Sequence, residues 1–468
     1  MATASAAFVE THQPRLLEEL LAFLRIPSIS TLPEHAGDVR AAATFVADAL
    51  RAAGMQNVEI IETAHHPLVY ADWMHAPGKP TVLCYGHYDV QPPDPMELWQ
   101  SPPFAPEIRD GNLYARGSAD DKGQMYTHIK AIEAIMATAG TLPVNVKFLV
   151  EGEEEIGGKS VAAFVAANPE KLKADVALVS DTSMYAPGLP TLCVGLRGLV
   201  YTEVKVKGAA RDLHSGIYGG AAPNPIFALI ELLSQAKDAG GHIQIPGFYD
   251  DVDEPTAVEL ESWSSLPFNE AEFLAHEVGS TALTGESDRT VLERMWSRPT
   301  LEVHGIAGGF TGAGAKTVIP AEATAKVSFR LVPHQDPAKV AAAFDDFLQQ
   351  RCPAGVTVEL RVLSGSPAVV VNPDHPAIRV AANAFAESFG RQTVFDRSGG
   401  SIPIVGDFAN HLGIPTVLMG FGLPDDGLHS PNEKFAVENY YKGIQTVAHF
   451  LELYGAAQPA ETPHGEAS

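Results

Sequence analysis

The sequence predicts an α/β fold: a domain with a mainly parallel sheet and helices on both faces, interrupted by an inserted α+β domain of ferredoxin-like order. Three observations lead there. As far as Asp181, short continuous apolar runs alternate with stretches of helical periodicity, the pattern of fully buried strands and the helices that cover them. After "GLRG" (195–198) the runs give way to alternating apolar and polar residues, as in strands with one solvated face. From about residue 376 the first pattern returns.

Residues 13–25 and 37–54 repeat apolar side chains at helical spacing, the second behind a Gly-Asp start. "TVLCY" (81–85), "VNVKFLV" (144–150) and "DVALVS" (175–180) are apolar runs of strand length. Residues 123–139 place Met125, Ile129, Ile132 and Met136 at helical spacing, and "SVAAFVAAN" (160–168) is a further helix. "YTEVKVKG" (201–208) and "AEATAKVSFRLV" (321–332) are alternating strands. Helices near 224–238 and 337–350 and a strand at 356–363 fit the order strand, helix, strand, strand, helix, strand. Acidic, Trp- and Pro-containing sequence at 246–298 interrupts it as an insertion. A helix at 376–389, the strand "TVLMG" (416–420) and a helix near 436–454 close the chain. The predicted domains are an α/β domain formed by 1–197 and 379–468, and the inserted α+β domain at 198–378. A Pro/Ala/Glu-rich tail from about 456 is expected to be disordered.

At 468 residues the chain is long enough for two domains and a large core. A hydrophobic content of 46% with 19% charged residues is that of a globular protein. The net charge of −25 excludes a nucleic-acid partner, whose phosphates need a basic surface, and favours a requirement for cations. No run approaches the roughly 18 uninterrupted apolar residues of a membrane span. The N-terminus lacks a basic stretch followed by an apolar one, so no secretory signal is expected. Three cysteines, Cys84, Cys193 and Cys352, form no disulfide framework, which predicts a reducing, cytoplasmic location.

The chemistry lies where predicted strands end. "TVLCY" runs into His87 and Asp89, "VNVKFLV" into "EGEEE", "DVALVS" into Asp181, and "TVLMG" into the segment holding His429. "GSADDKG" adds Asp120 and Asp121 just before a helix. Strand carboxyl ends are where open α/β sheets bind ligands, so five segments deliver histidines and carboxylates to one edge. Each piece has a plainer reading alone: a hydrogen-bonded histidine, a helix cap, a solvated acidic loop. Together they compose a nitrogen- and oxygen-rich site suited to Zn²⁺, Mn²⁺ or Co²⁺. The excess of carboxylates points to two cations with one aspartate bridging them.

The motifs "GHYDVQP" (86–92), "YARGSADDKG" (114–123), "EGEEEIGG" (151–158), "SD" (180–181), "DLHSGIYGG" (212–220), "SFRLVP" (328–333), "GGSIP" (399–403) and "GLHSPNEK" (427–434) stand in one order along the chain. In them the sequence resembles the M20 metallopeptidases, and within these the carnosinase-like dipeptidase branch. The resemblance implies a peptidase that hydrolyses dipeptides or short peptide-like substrates with a catalytic domain holding two divalent ions, Zn or Mn, with Co possible. His87, Asp120 and Asp181 would hold one ion, and Asp120, Glu155 and His429 the other. Glu154 would be the general base, and Asp89 would orient the ring of His87. Glu151 and Glu153 would be supporting or solvated residues. The inserted domain would serve as lid and dimerisation domain of a homodimer, with His214 reaching the partner subunit's site as oxyanion donor. Taken alone, His214 reads as a surface histidine in a Gly-rich loop. Arg330, Thr317 and Ser401 would hold the substrate's carboxylate. The resemblance also implies a cis Asp120–Asp121 bond.

One position departs from the pattern. Carnosinase-like members often carry an acidic residue immediately before Gly-Gly-Ser, suited to a free α-amino group, whereas this chain has Ser398 in "DRSGGS", with Asp396 two positions earlier. An N-acyl-amino-acid amidohydrolase of the same superfamily is therefore the alternative within the enzyme class. A non-catalytic metal-binding protein is disfavoured, because ligands and base are all present.

Overall fold

A computed structural model describes residues 3–400 and 402–457, in two units. The first comprises residues up to 194, 371–396 and the chain from 403; the second comprises 195–370 and 397–402. The predicted disordered tail lies almost entirely outside the described residues. Among the described residues no helix is long and apolar enough to cross a membrane.

In the first unit the sheet order is Gln56–Ile61, Leu68–Trp73, Asn145–Glu151, Thr81–His87, Val176–Val179, Thr416–Leu418 and Thr191–Leu196. The central four strands run parallel, while the outer pairings are antiparallel, so the sheet is mixed. The parallel centre is the expected part. Local apolar pattern does not encode strand direction, and the antiparallel strands at 56–61 and 68–73 were not expected from it.

Burial explains the apolar runs. Every residue of Asn145–Glu151 and Val176–Val179 is buried, as is most of Thr81–His87. Val82, Cys84, Val146, Phe148, Val150, Val176 and Leu178 join a core with the helices Ala4–Leu24, Lys122–Ala139, Pro376–Phe389 and Val437–Ala456. Their alternates Leu83, Tyr85, Leu149, Ala177 and Val179 are buried outside that core, where Tyr85 meets Phe408 edge to face at 5.8 Å. Both faces are covered, each large side chain contributing about 1.5–3 kcal/mol on burial. The first helix starts well before residue 13 because Thr3 caps it, accepting the Ala6 N–H at 3.2 Å.

The second unit has its own core. Its four strands lie in the order Thr300–Gly308, Glu322–Leu331, Gly198–Lys207 and Thr357–Ser366, all neighbours antiparallel. With the helices Pro225–Ser234 and Pro337–Arg351 they follow the β-α-β-β-α-β sequence of a ferredoxin-like domain. The strand Gly198–Lys207 alternates buried and half-buried residues, as its alternating sequence requires.

Candidate metal centre

Because the central strands are parallel, their carboxyl ends share one edge, and each hands its chain to a site residue. His87 ends the strand Thr81–His87, and Glu151 pairs with it at the end of Asn145–Glu151. Asp181 follows Val176–Val179, and His429 lies in the segment after Thr416–Leu418. Asp120 arrives just before the helix Lys122–Ala139, and the Asp120–Asp121 bond is cis. Two glycines permit this closeness. A Cβ on Gly86 would stand 2.8 Å from Asp121 Oδ2 and 2.4 Å from the Met125 side chain. A Cβ on Gly123 would stand 1.9 Å from the Ser118 carbonyl oxygen.

His87, Asp120 and Asp181 form one group whose ligand atoms lie within 4.8 Å of one another, and Asp120, Glu155 and His429 form a second. Asp120 belongs to both. Its Oδ1 is 3.1 Å from His87 Nε2 and its Oδ2 is 3.0 Å from His429 Nε2, one oxygen for each histidine. Asp181 Oδ2 lies 4.0 Å from His87 Nε2, and Glu155 Oε2 lies 3.2 Å from His429 Nε2. The two groups differ in access: the His87 side chain is fully buried, whereas that of His429 is 57% exposed. The His429 backbone is left-handed, with φ 59°.

Among the described residues, Asp120, Glu155 and Asp181 have histidines as ion-pair partners, not lysine or arginine. Burial pushes Glu154 well above the usual carboxyl range, with Asp181, Glu155 and Asp120 adding to the effect against His87. Burial, then Asp120, pushes Asp181 up to about 7. Burial would raise Asp120 too, but hydrogen bonds from His429 and His87 outweigh it and hold Asp120 below the usual range. Hydrogen bonding to Asp120 and Glu155 pushes His429 up to about 10. The chain alone therefore resists carrying all these charges. Two divalent cations would balance the four carboxylates Asp120, Glu154, Glu155 and Asp181, and the donor set fits them.

The acidic run is divided by burial. Glu151 is buried and accepts the Tyr85 hydroxyl at 2.5 Å. Glu153 is also buried, accepting the His66 N–H at 2.8 Å and the Ser160 N–H at 3.3 Å. Neither is a solvated loop residue; both are supporting residues beside the turn Glu154–Ile156. Asp89, fully buried, holds that turn from the other side. Its carboxylate accepts the Glu154 N–H at 3.2 Å and the Glu155 N–H at 3.1 Å. The His87 Nδ1 contacts the Asp89 carbonyl oxygen at 3.1 Å and its carboxylate at 3.4 Å. The orienting contact expected from the side chain is thus shared with the backbone, and Asp89 also positions the two glutamates.

His214, Thr317 and Arg330 lie in the second unit. His214 pairs with Val318 in a short ladder, and the Ser215 N–H donates to the Thr317 carbonyl at 3.1 Å, so the first two are neighbours. The His214 Nδ1 accepts the Gly216 N–H at 3.0 Å, which leaves Nε2 as the protonated nitrogen of a neutral ring. Arg330 stands near the end of the strand Glu322–Leu331, opposite Leu199 and Thr300. Ser401 lies outside the described residues. Two residues near the centre escaped sequence reasoning. Gln91 donates to Glu155 Oε2 at 2.8 Å, and Glu433 underlies the loop of Asp120. Their only sequence signal is membership of the motifs "GHYDVQP" and "GLHSPNEK".

The profile of peptidase family M20/M25/M40 matches residues 83–453. The Cys-Gly metallodipeptidase DUG1 of Candida albicans is 34% identical, over 96% of each chain. The human Beta-Ala-His dipeptidase is 31% identical, over 95% of this chain and 91% of its own. Among solved structures, the Dug1p di-peptidase of Saccharomyces cerevisiae superposes with a TM-score of 0.83 at 30% identity, covering 97% of this chain and 98% of its own. The M20 family metallo-carboxypeptidase Sso-CP2 of Sulfolobus solfataricus gives 0.85 at 32% identity, covering 94% and 99%.

Proposed function

The chain belongs to peptidase family M20/M25/M40, and from that premise we propose that it is a dinuclear metal-dependent dipeptidase releasing an amino acid from a dipeptide-like substrate. Asp120 carries the conclusion: one carboxylate whose two oxygens face two different histidines belongs to two ligand groups at once. His87, Asp120 and Asp181 would hold one ion and Asp120, Glu155 and His429 the other, with Zn²⁺ or Mn²⁺ suited to the donors and Co²⁺ as a substitute. When bound, such ions lower the pKa of water and polarise the scissile carbonyl.

The chain supplies the rest. Glu154, half-buried beside the ligand groups, takes the attacking water's proton and hands it to the leaving amine. Asp89 keeps Glu154 and Glu155 in place through their N–H groups. His214, with Nε2 as donor, stabilises the oxyanion in the partner subunit's site. Arg330, Thr317 and Ser401 receive the substrate carboxylate, for which the planar guanidinium of Arg330 is suited. The second unit, which takes in most of the predicted 198–378 segment, serves as lid and dimerisation domain. Exposed Phe227 (73%), Ile230, Ile217 and Tyr218, with Ile306 on the edge strand Thr300–Gly308, support burial against a second copy. A cytoplasmic location is supported by three free cysteines.

A second reading is favoured by Ser398. Its Oγ accepts the Gly400 N–H at 3.1 Å, and it brings no carboxylate for a free α-amino group. Asp396, two positions earlier, is the nearest carboxyl in the chain; burial pushes it up to about 7, towards a proton and away from the charge an ammonium group would meet. Longer peptides cut at the carboxyl end, or N-acyl amino acids, are then substrates. A metal-reconstituted assay over dipeptides, tripeptides and N-acetyl amino acids, read by amino-acid release, decides. Preference for dipeptides upholds the first reading; equal or better turnover of tripeptides or N-acetyl amino acids upholds the second. No turnover of any class defeats both.

A further inference from the structure

Beneath the ligand groups lies a buried ion pair that the mechanism above does not use. Glu433 stands four residues after His429, and its side chain is fully enclosed. Its Oε2 accepts Arg116 Nη1 at 2.8 Å and the Gly117 N–H at 2.8 Å. Its Oε1 accepts the Ala119 N–H at 2.9 Å and the Asp120 N–H at 3.1 Å. In return, the Glu433 carbonyl oxygen accepts the Ala115 N–H at 3.1 Å. Arg116 is itself buried, with its guanidinium 5.5 Å from the centre of the Trp99 ring.

Burying a carboxylate costs several kcal/mol unless charge and hydrogen bonds offset it. Here one cation and three backbone donors do so, and all four belong to residues 116–120, the segment that delivers the shared ligand. The residue gathering them belongs to the segment that delivers His429. We infer that Glu433 is a positioning residue for the metal pair, locking the backbone of Asp120 to the His429 segment so that both oxygens of Asp120 meet their histidines together. This rests on the two-cation reading above. Glutamine at this position keeps the shape but offers one acceptor oxygen where two are needed, and turns an N–H₂ towards backbone N–H groups.

The test compares wild type, Glu433→Gln and Glu433→Asp, each loaded with Zn²⁺ or Co²⁺. Bound metal per chain, the chelator concentration that removes it, the Co²⁺ visible spectrum and the metal-free melting temperature are measured. Loss of a partner outside the ligand set typically weakens metal affinity about 10- to 100-fold. Expected for Glu433→Gln is a fall of that size with an altered Co²⁺ spectrum, and partial recovery in Glu433→Asp. A lowered melting temperature with unchanged chelator midpoint and spectrum would make Glu433 a structural residue only and overturn the inference. Should Glu433→Gln not fold, Arg116→Lys, which removes the fork but keeps the charge, is expected to shift the midpoint the same way by less. An unchanged midpoint there overturns the inference as well. Wild type binding fewer than two ions would defeat the two-cation reading instead.

Discussion

Replacing Asp89 by asparagine separates two jobs that one buried carboxylate performs. Its oxygens accept the N–H groups of Glu154 and Glu155 at 3.2 and 3.1 Å, and one of them lies 3.4 Å from His87 Nδ1. Asparagine retains a single acceptor oxygen, so one of the two turn contacts is lost and an amide hydrogen faces the other donor. A hydrogen bond to a charged group contributes about 1.5–3 kcal/mol, and Asp89 is fully buried, so water does not replace it. If that loss falls on the placement of Glu154, kcat/KM drops about 10- to 150-fold, since roughly 1.4 kcal/mol is a factor of ten. Alanine, which removes both contacts, should cost about another tenfold. The assay is kcat/KM of the reconstituted enzyme on its best dipeptide, with metal content measured on the same sample. Wild-type metal content with reduced turnover is expected. Turnover within about twofold of wild type would refute a role in holding the turn. Loss of metal with Asp89→Asn would show that the carboxylate acts through the ligands His87 and Glu155 instead.

Glu154→Gln should keep its metal and fold while turnover falls by several orders of magnitude; unchanged turnover removes Glu154 as base. His214→Ala should lower kcat with metal content intact, and mixing it with Glu154→Gln should restore partial activity through hybrid dimers; an active monomer at assay concentration ends the trans role. Gly123→Ala forces the Ser118 oxygen, 1.9 Å from the new Cβ, to move by about 1.5 Å to reach ordinary contact, so metal affinity should collapse. Normal binding by that variant would show the loop to be adaptable. In the metal-free chain, burial pushes Glu151 from the usual 4.5 up to about 8, so the folded state keeps a proton that the unfolded state releases. Stability from this group is thus fullest below about 4.5 and is lost as pH rises towards about 8. Melting temperatures in chelator from pH 5 to 8 should fall more steeply for wild type than for Glu151→Gln; parallel curves would refute it.

Much of the centre was legible because strand ends are local events. An apolar run that stops at a histidine or a carboxylate can be read without knowing its neighbours, and His87, Glu155 and Asp181 have that form, while Asp120 stands before a helix and His429 in the segment after a strand. The antiparallel strands Gln56–Ile61 and Leu68–Trp73 were not legible, since strand direction depends on partners far along the chain. Glu151 and Glu153 read only as supporting or solvated residues; Tyr85 and His66, which donate hydrogen bonds to them, come from other segments. Glu433 was hidden for the same reason, its contacts spanning more than 300 positions of sequence. The pattern "HSPNEK" shows a glutamate near a histidine but not the loop it grips.

That the first unit is sewn from both ends of the chain sets a schedule for its completion during synthesis. His87, Asp120, Glu155 and Asp181 leave the ribosome early, but the strand Thr416–Leu418 and His429 follow about 250 residues later, at roughly 5–20 residues per second a delay of about 12–50 s. For that interval the nascent sheet has a gap beside Val176–Val179, and a quartet of carboxylates waits with one histidine instead of two. The intervening residues belong mostly to a unit with a separate core, which can fold within the pause. The nascent chain thus completes the His87 group first, and the enzyme becomes competent only when its last fifth has been made.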